Sequence, residues 1–175
     1  YTHPSAVNSN ADFYCRHNLP FVMGTTGGNR EELEVMVKRS PVSAVIAPNM
    51  AVEVVTIQDE LNDLIATSPD EFARWRMTIR ESHQATKKDV SGTAVAFCRQ
   101  LEALGATMDG EIESIRDPQV QRELGIQRVD GHAYHWITLT NPNGETREYR
   151  TGIEGRQVYI AGTLMAVDFL AQRMR

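Results

Sequence analysis

The chain has 175 residues, enough for one ordinary domain or for one domain and part of a second. Hydrophobic residues make up 41% and charged residues 23%, the profile of a folded globular protein rather than a disordered one. A formal net charge of -5 with no run of lysine or arginine argues against a nucleic-acid partner bound through its phosphates, and leaves room for a local basic pocket that takes a small anion.

No apolar run reaches the length of a membrane span, so a soluble chain with no membrane partner is expected. The opening Tyr1-Thr2-His3-Pro4 has neither a basic n-region nor an apolar h-region, so no secretory signal is expected. It lacks an initiator methionine and begins on what reads as the last residues of a strand, so a preceding segment is expected. Cys15 and Cys98 fit a reducing compartment and supply no disulfide framework or metal set.

Val7, Ala11, Tyr14 and Cys15 recur at helical spacing. Pro20 to Met23 is a short apolar run suited to a buried parallel strand. The Gly-rich turn Gly24 to Gly28 follows, and Asn29 is placed to cap a helix whose apolar face is Leu33, Met36 and Val37. Val42 to Ala47 predicts a further strand. This alternation is that of half a doubly wound sheet.

After Pro48 the pattern changes. Val54, Ile57, Leu61, Leu64 and Ile65 outline a longer amphipathic helix. Trp75, Met77 and Ile79 alternate with polar residues as in a half-buried strand. Ala94, Phe97, Cys98, Leu101 and Leu104 mark a helix closed by Gly105. A strand over Glu111 to Ile115 is followed by a hairpin, Tyr134–Thr140 and Glu145–Tyr149, turning at Asn141 to Gly144. The last helix runs from about Ala161, with Leu164, Val167, Leu170 and Ala171 on one face. The predicted fold class is α/β, the C-terminal part of a Rossmann-like parallel sheet joined to an α+β domain with a mixed sheet.

The stretch from Glu81 to Ala94 carries the most chemistry. It leaves an alternating strand, crosses a polar loop and enters a helix at Ser91-Gly92-Thr93. A helix N-terminus offers unpaired N–H groups and positive potential; Gly92 admits close approach, and Ser91 and Thr93 add hydroxyls, which together suit a carboxylate. Lys87 and Lys88 lie just upstream, and His83 is a proton carrier near neutral pH. Alone, Ser-Gly-Thr reads first as a cap and a loop histidine as a solvated one; their conjunction favours function. Gly24 to Gly28 suits a nicotinamide or phosphate at a strand's carboxyl end, although G-x-G-x-x-G occurs nowhere in the chain. His132 and His135 are expected on opposite faces of a strand, and so not on one metal ion. Trp75 and Trp136 are expected in the core, and Arg156 is an anion clamp or an ordinary surface arginine.

At these residues the chain resembles the dihydrodipicolinate reductase family along nearly its whole length. The family's loop of histidine, lysine, aspartate and Ser-Gly-Thr is matched by His83, Lys87, Asp89 and Ser91-Gly92-Thr93. Its Gly-Thr-Thr-Gly turn is matched by Gly24-Thr25-Thr26-Gly27, and its Ala-x-Asn-hydrophobic strand end by Ala47-Pro48-Asn49-Met50. Tyr1-Thr2-His3-Pro4, Gly155-Arg156 and Ala161-Gly162-Thr163 also fit. Most bacterial members have a second histidine where Gln84 stands, and a loop one residue longer than Asp89-Val90; Ser-His-Gln is similar to the plant-type branch. The family's N-terminal Gly-rich loop, which holds the cofactor's pyrophosphate, has no counterpart in these residues.

The resemblance implies a reductase of the diaminopimelate–lysine pathway. It implies residues 1–49 as the C-terminal part of a nucleotide-binding domain, 50–158 as a substrate-binding and oligomerisation domain, and 159–175 as a helix returning to the first. It implies NADPH or NADH as cofactor, a small dicarboxylate as substrate, and a homo-oligomer, dimer or tetramer. His83 and Lys87 become proton carriers, while Gln84, Ser91, Gly92, Thr93 and Arg156 hold substrate carboxylates. Gly24, Thr25, Thr26, Ala47, Pro48, Asn49 and Met50 line the nicotinamide. No metal is implied. A cytoplasmic setting is expected, or the plastid stroma for a plant protein. The competing reading is a catalytically inactive fragment, or a non-catalytic relative used for binding or assembly; the presence of both His83 and Lys87 speaks for the enzyme.

Overall fold

The computed structural model describes residues 2–25 and 27–174, which divide into two compact units, Tyr1–Val52 with Tyr159–Arg175, and Glu53–Val158. In the first unit, a short 3-10 turn (Pro4–Ala6) leads into α1 (Val7–Arg16). β1 (Phe21–Met23) and β2 (Ala44–Ile46) pair in parallel, with Val22 opposite Val45, and α2 (Arg30–Arg39) connects them. The predicted helical spacing is realised, since Val7 and Ala11 are buried with Tyr14 and Cys15 packed on them. Asn29 is the predicted cap, its Oδ1 accepting from the Glu32 N–H at 3.1 Å. Leu33, Phe21, Met23 and Val42 complete this small core.

The C-terminal helix, Tyr159–Arg173, also belongs to this unit and contacts both strands. A Cβ on Gly162 would overlap the Met50 carbonyl oxygen, so glycine lets the helix backbone lie against the chain leaving β2. The Thr163 hydroxyl donates to the Tyr159 carbonyl at 2.7 Å and lies 3.3 Å from Met50 Sδ. The docked stripe is therefore Gly162, Ala166 and Leu170, spaced by four. Leu164, Val167 and Ala171, placed by their spacing on one face with Leu170, are exposed while Leu170 is buried, because they lie off that stripe.

The second unit begins with α3 (Val52–Thr67) and is built on β3 (Arg76–His83). Then follow α4 (Gly92–Ala103), β4 (Thr107–Met108), β5 (Glu113–Ile115) and α5 (Pro118–Glu123). The hairpin β6 (His132–Thr140) and β7 (Thr146–Glu154) closes it. β6 pairs antiparallel with β3 on one side and with β7 on the other, while β4 and β5 run parallel to β3 along its other edge. The sheet is thus mixed, as predicted. Alternation turns Met77, Ile79 and Glu81 inward beside Leu139, Ile137 and His135 of β6. Ala94, Phe97 and Leu101 of α4 are buried in the same core. Each large apolar side chain there contributes on the order of 1.5–3 kcal/mol.

The hairpin turn is held by Asn141, whose Oδ1 accepts from the Asn143 and Glu145 N–H groups, each at 2.9 Å. One expectation is corrected here. Trp75 and Trp136 are only half-buried, and Trp136 stacks on Tyr134 on the outward face, with ring centroids 5.5 Å apart. β4 and α5 had no counterpart in the sequence reading. Among the described residues no helix is long and apolar enough to cross a membrane.

Candidate functional site

Residues two apart on a strand share a face, so β3 sets Glu81 and His83 side by side at its carboxyl end. Glu81 is wholly buried; His83 has 13% of its side chain exposed. His83 Nδ1 lies 2.6 Å from Glu81 Oε2. An ionised carboxylate only accepts, so Nδ1 carries the hydrogen and Nε2 is the nitrogen left for other partners. Arg116, one residue beyond β5, donates to both Glu81 oxygens, at 2.6 and 2.9 Å. Ser114 Oγ adds a bond of 2.6 Å, and the Ser91 N–H one of 3.3 Å. Burial alone would raise the Glu81 carboxyl, but the hydrogen bonds from His83, Arg116 and Ser114 outweigh it and hold the group well below the usual carboxylate range.

His135 faces the same inner space, its ring centroid 5.6 Å from that of His83. Its nitrogens meet Ser91 Oγ and Thr151 Oγ1, each at 2.8 Å. Burial first, and then the neighbouring His83, push its pKa down to about 4, so it is neutral at neutral pH. His132 points to the opposite face, as predicted, and bonds to Ser82 Oγ at 2.8 Å. Among the described residues no cluster of three potential metal ligands occurs.

The other predicted residues of this region lie on the loop and helix that follow β3. Gln84 opens the loop, and its carbonyl accepts from the Lys87 N–H at 2.9 Å. The Lys87 side chain is half-buried, and among the described residues no carboxylate lies within ion-pair distance of it. Ser91 is buried; its hydroxyl is taken up by the Ala94 N–H at 3.4 Å and by His135, so it caps α4 and braces the site. Gly92 is exposed, with nothing within 4 Å of where a Cβ would stand, so the first turn of α4 is open to a ligand. Thr93 follows, half-buried. Arg156 is exposed two residues beyond β7. The ladder His83–Ala133–Ile153 brings the end of β7 to the same end of the sheet as His83, two strand spacings or about 10 Å across.

The predicted nicotinamide-side residues lie in the first unit, where the carboxyl ends of β1 and β2 adjoin. Ala47 N donates to the Met23 carbonyl at 3.0 Å. Thr25 Oγ1 accepts from the Thr2 N–H at 2.7 Å, and Asn8 pins the turn's exit through two bonds of 2.9 Å to the Asn29 backbone. Asn49 Oδ1 accepts from the Ala51 N–H at 2.9 Å; Pro48 is exposed and Met50 is buried. Thr26 lies outside the described residues. Neither Gly24–Gly28 nor Ala47–Met50 contains a charged side chain, so nothing in these braced turns repels an anionic dinucleotide.

Sequence reasoning missed Glu81, Ser114 and Arg116, and weighed His135 only as a metal ligand. For Glu81 the signal was present, an acid two residues before the histidine on a predicted strand. Arg116 and Ser114 lie some thirty residues away and meet Glu81 only through the parallel pairing of β5 with β3.

Residues 1–50 match the family described as "Dihydrodipicolinate reductase, N-terminus", and residues 54–175 match "Dihydrodipicolinate reductase, C-terminus". Over its whole length the chain is 42% identical to 4-hydroxy-tetrahydrodipicolinate reductase 2, chloroplastic, of Arabidopsis thaliana. It is 41% identical over the same span to the probable reductase 1, chloroplastic, of Oryza sativa subsp. japonica. The match covers 52% of each, so the chain spans about half the length of these curated relatives. The solved structure of a dipicolinate-bound dihydrodipicolinate reductase from Paenisporosarcina sp. TG-14 superposes with a TM-score of 0.68, covering 98% of this chain and 67% of that one. At 21% identity it attests the fold alone. With both halves matched and close sequence relatives, the chain belongs to the dihydrodipicolinate reductase family.

Proposed function

We propose that the protein reduces 4-hydroxy-tetrahydrodipicolinate to tetrahydrodipicolinate with NADPH or NADH, a step toward diaminopimelate and lysine. The observation that carries this reading is the pairing of His83 with the buried Glu81 carboxylate next to the open N-terminus of α4. A planar ring bearing two carboxylates suits that place. One carboxylate takes the first-turn N–H groups at Gly92 and Thr93, and Gln84 adds an amide donor. Arg156 leaves the same end of the sheet and supplies a cation for the other carboxylate. Ser91 supports the pocket from within. That a solved relative carries dipicolinate in its name agrees with a dicarboxylate ligand.

The reaction has two parts. Water is eliminated as an adjacent ring C–H bond gives up its proton, the C–O bond breaks, and the hydroxyl takes up one proton to leave as water. The conjugated product then gains a hydride and one further proton. His83 holds its hydrogen at Nδ1 against Glu81, so Nε2 exchanges protons with the ring; the Lys87 ammonium, free of carboxylate partners among the described residues, gives the second proton. The uncharged, braced turns at Gly24–Thr25 and Ala47–Met50, with Thr26 between them in sequence, hold the nicotinamide. That cofactor, when bound, supplies the hydride. The outward face of the mixed sheet supports assembly as a homo-oligomer.

Replacing His83 by Gln and Lys87 by Met in the full-length protein is expected to lower kcat about 100-fold or more each, while pyridine-2,6-dicarboxylate still binds. Unchanged turnover in the doubly substituted protein would remove both residues from the reaction. Absence of both turnover and binding in the unsubstituted protein would favour a non-catalytic relative.

A further inference from the structure

Arg116 spends every donor it has inside the protein. A guanidinium carries five N–H groups in a rigid fork. Nη1 and Nη2 each give one to Glu81, at 2.9 and 2.6 Å. The others go to backbone carbonyls: Nε to Lys87 at 2.9 Å, Nη2 to Asp89 at 3.1 Å, and Nη1 to Ile115 at 3.1 Å. Nothing remains to grip a substrate carboxylate without breaking a bond already made. Close by, Gln121 Nε2 donates to the His83 carbonyl at 2.8 Å and to that of Ile115 at 3.1 Å. The strand end carrying His83, the loop carrying Lys87 and the end of β5 are therefore joined through one fork and one amide.

We infer that Arg116 is a positioning residue, which fixes the His83 ring through Glu81 and the Lys87 loop through its carbonyls, so that both proton carriers hold one relative geometry. This rests on the reading of His83 and Lys87 above. A buried ion pair adds little stability over a well-packed apolar pair, so a guanidinium here is explained better by the geometry it imposes. Lysine cannot replace it, because one ammonium reaches Glu81 but not two loop carbonyls on divergent sides.

Two variants of the full-length protein test this. Arg116→Lys keeps a positive charge beside Glu81 and gives up the reach to the loop. The double variant Glu81→Gln/Arg116→Met removes both buried charges together, so no bare carboxylate is left to unfold the protein. Both are expected to bind pyridine-2,6-dicarboxylate within about threefold of the unsubstituted protein, with kcat lower by about tenfold in the first and about 100-fold in the second. The ring of His83, observed by 15N NMR at alkaline pH, is expected to stay in the Nδ1–H form in Arg116→Lys. In the double variant it becomes a mixture, because an amide both donates and accepts whereas a carboxylate only accepts.

Full kcat in Arg116→Lys, or a pure Nδ1–H tautomer in the double variant, would overturn the inference. If the unsubstituted protein neither turns over nor binds the dicarboxylate, it is the proposed function that fails. The tautomer comparison then still decides whether the Glu81–Arg116 pair fixes the His83 ring.

Discussion

Two histidines three residues apart on β6 meet different fates, and so does the acid that a reader of the sequence passes over. His135 lies among Glu81, His83, Ser91, Thr151 and Phe97, and its pKa of about 4 means the folded protein resists its protonation. His132 is shifted downward too, chiefly by burial. Between the ordinary histidine value of 6.5 and about 4, the unfolded chain binds more protons than the folded one, so stability falls as pH falls through that window. Glu81 acts lower down. Its depressed carboxyl contributes stability in full above the ordinary 4.5, and loses it progressively as pH drops further. The unfolding free energy taken from urea denaturation is thus expected to decline in two stages on acidification, the first by about 3 kcal/mol from His135. His135→Gln is expected to flatten that first stage to the share of His132; an unchanged slope would remove His135 as its source. At this scale the sequence showed His83, Lys87 and Ser-Gly-Thr, because they are contiguous. It hid Arg116 and His135, because strand pairing rather than spacing brings them to Glu81.

Elements long enough to carry a period were readable: α1, α3 and α4, the alternation of β3, the Asn29 cap and the hairpin turn at Asn141. β4 spans two residues and α5 six, too short for either a period of 2 or one of 3.6 to register. The C-terminal helix was readable as a helix but not in its facing, since a small residue at Gly162 rather than the largest apolar ones sets its contact line. Gly105 is the residue where an element boundary is tested most directly. It ends α4 at φ +90°, and a Cβ there would stand 3.1 Å from Ala73 Cα, in the segment whose Phe72 N–H bonds to the Leu104 carbonyl at 2.9 Å. Both the backbone region and the contact penalise a side chain, so Gly105→Ala is expected to cost about 1–2 kcal/mol in chemical denaturation. A loss under about 0.5 kcal/mol, the usual size for an uninvolved surface site, would mean the turn relaxes freely.

For the molecule as a whole, one unit holds the parallel strand ends and the other the Glu81–His83 pair, and the proposed function assigns the cofactor to the first and the substrate to the second. The mixed sheet of the second unit has one face under α4 and the other turned outward. On that outer face Thr78, Arg80, Trp136, Thr138, Glu148 and Arg150 line a shallow depression, with Arg80 6.0 Å above the Trp136 ring and paired to Glu113 at 2.9 Å. Charges of both signs sit around an aromatic pair, Tyr134 and Trp136, on the central strand β6. A second copy related by a two-fold axis would oppose arginine to glutamate and bury both rings, which is the self-complementarity that an isologous contact requires. The proposed homo-oligomer is therefore expected to form through this face. Sedimentation velocity at micromolar concentration should find at least a dimer, and Trp136→Glu should reduce it to monomers with an unchanged far-UV spectrum, since that side chain is only half-buried and holds no core position. A monomer before substitution, or an oligomer that survives it, would leave the aromatic pair as an ordinary surface stack and send the search for a contact to another face.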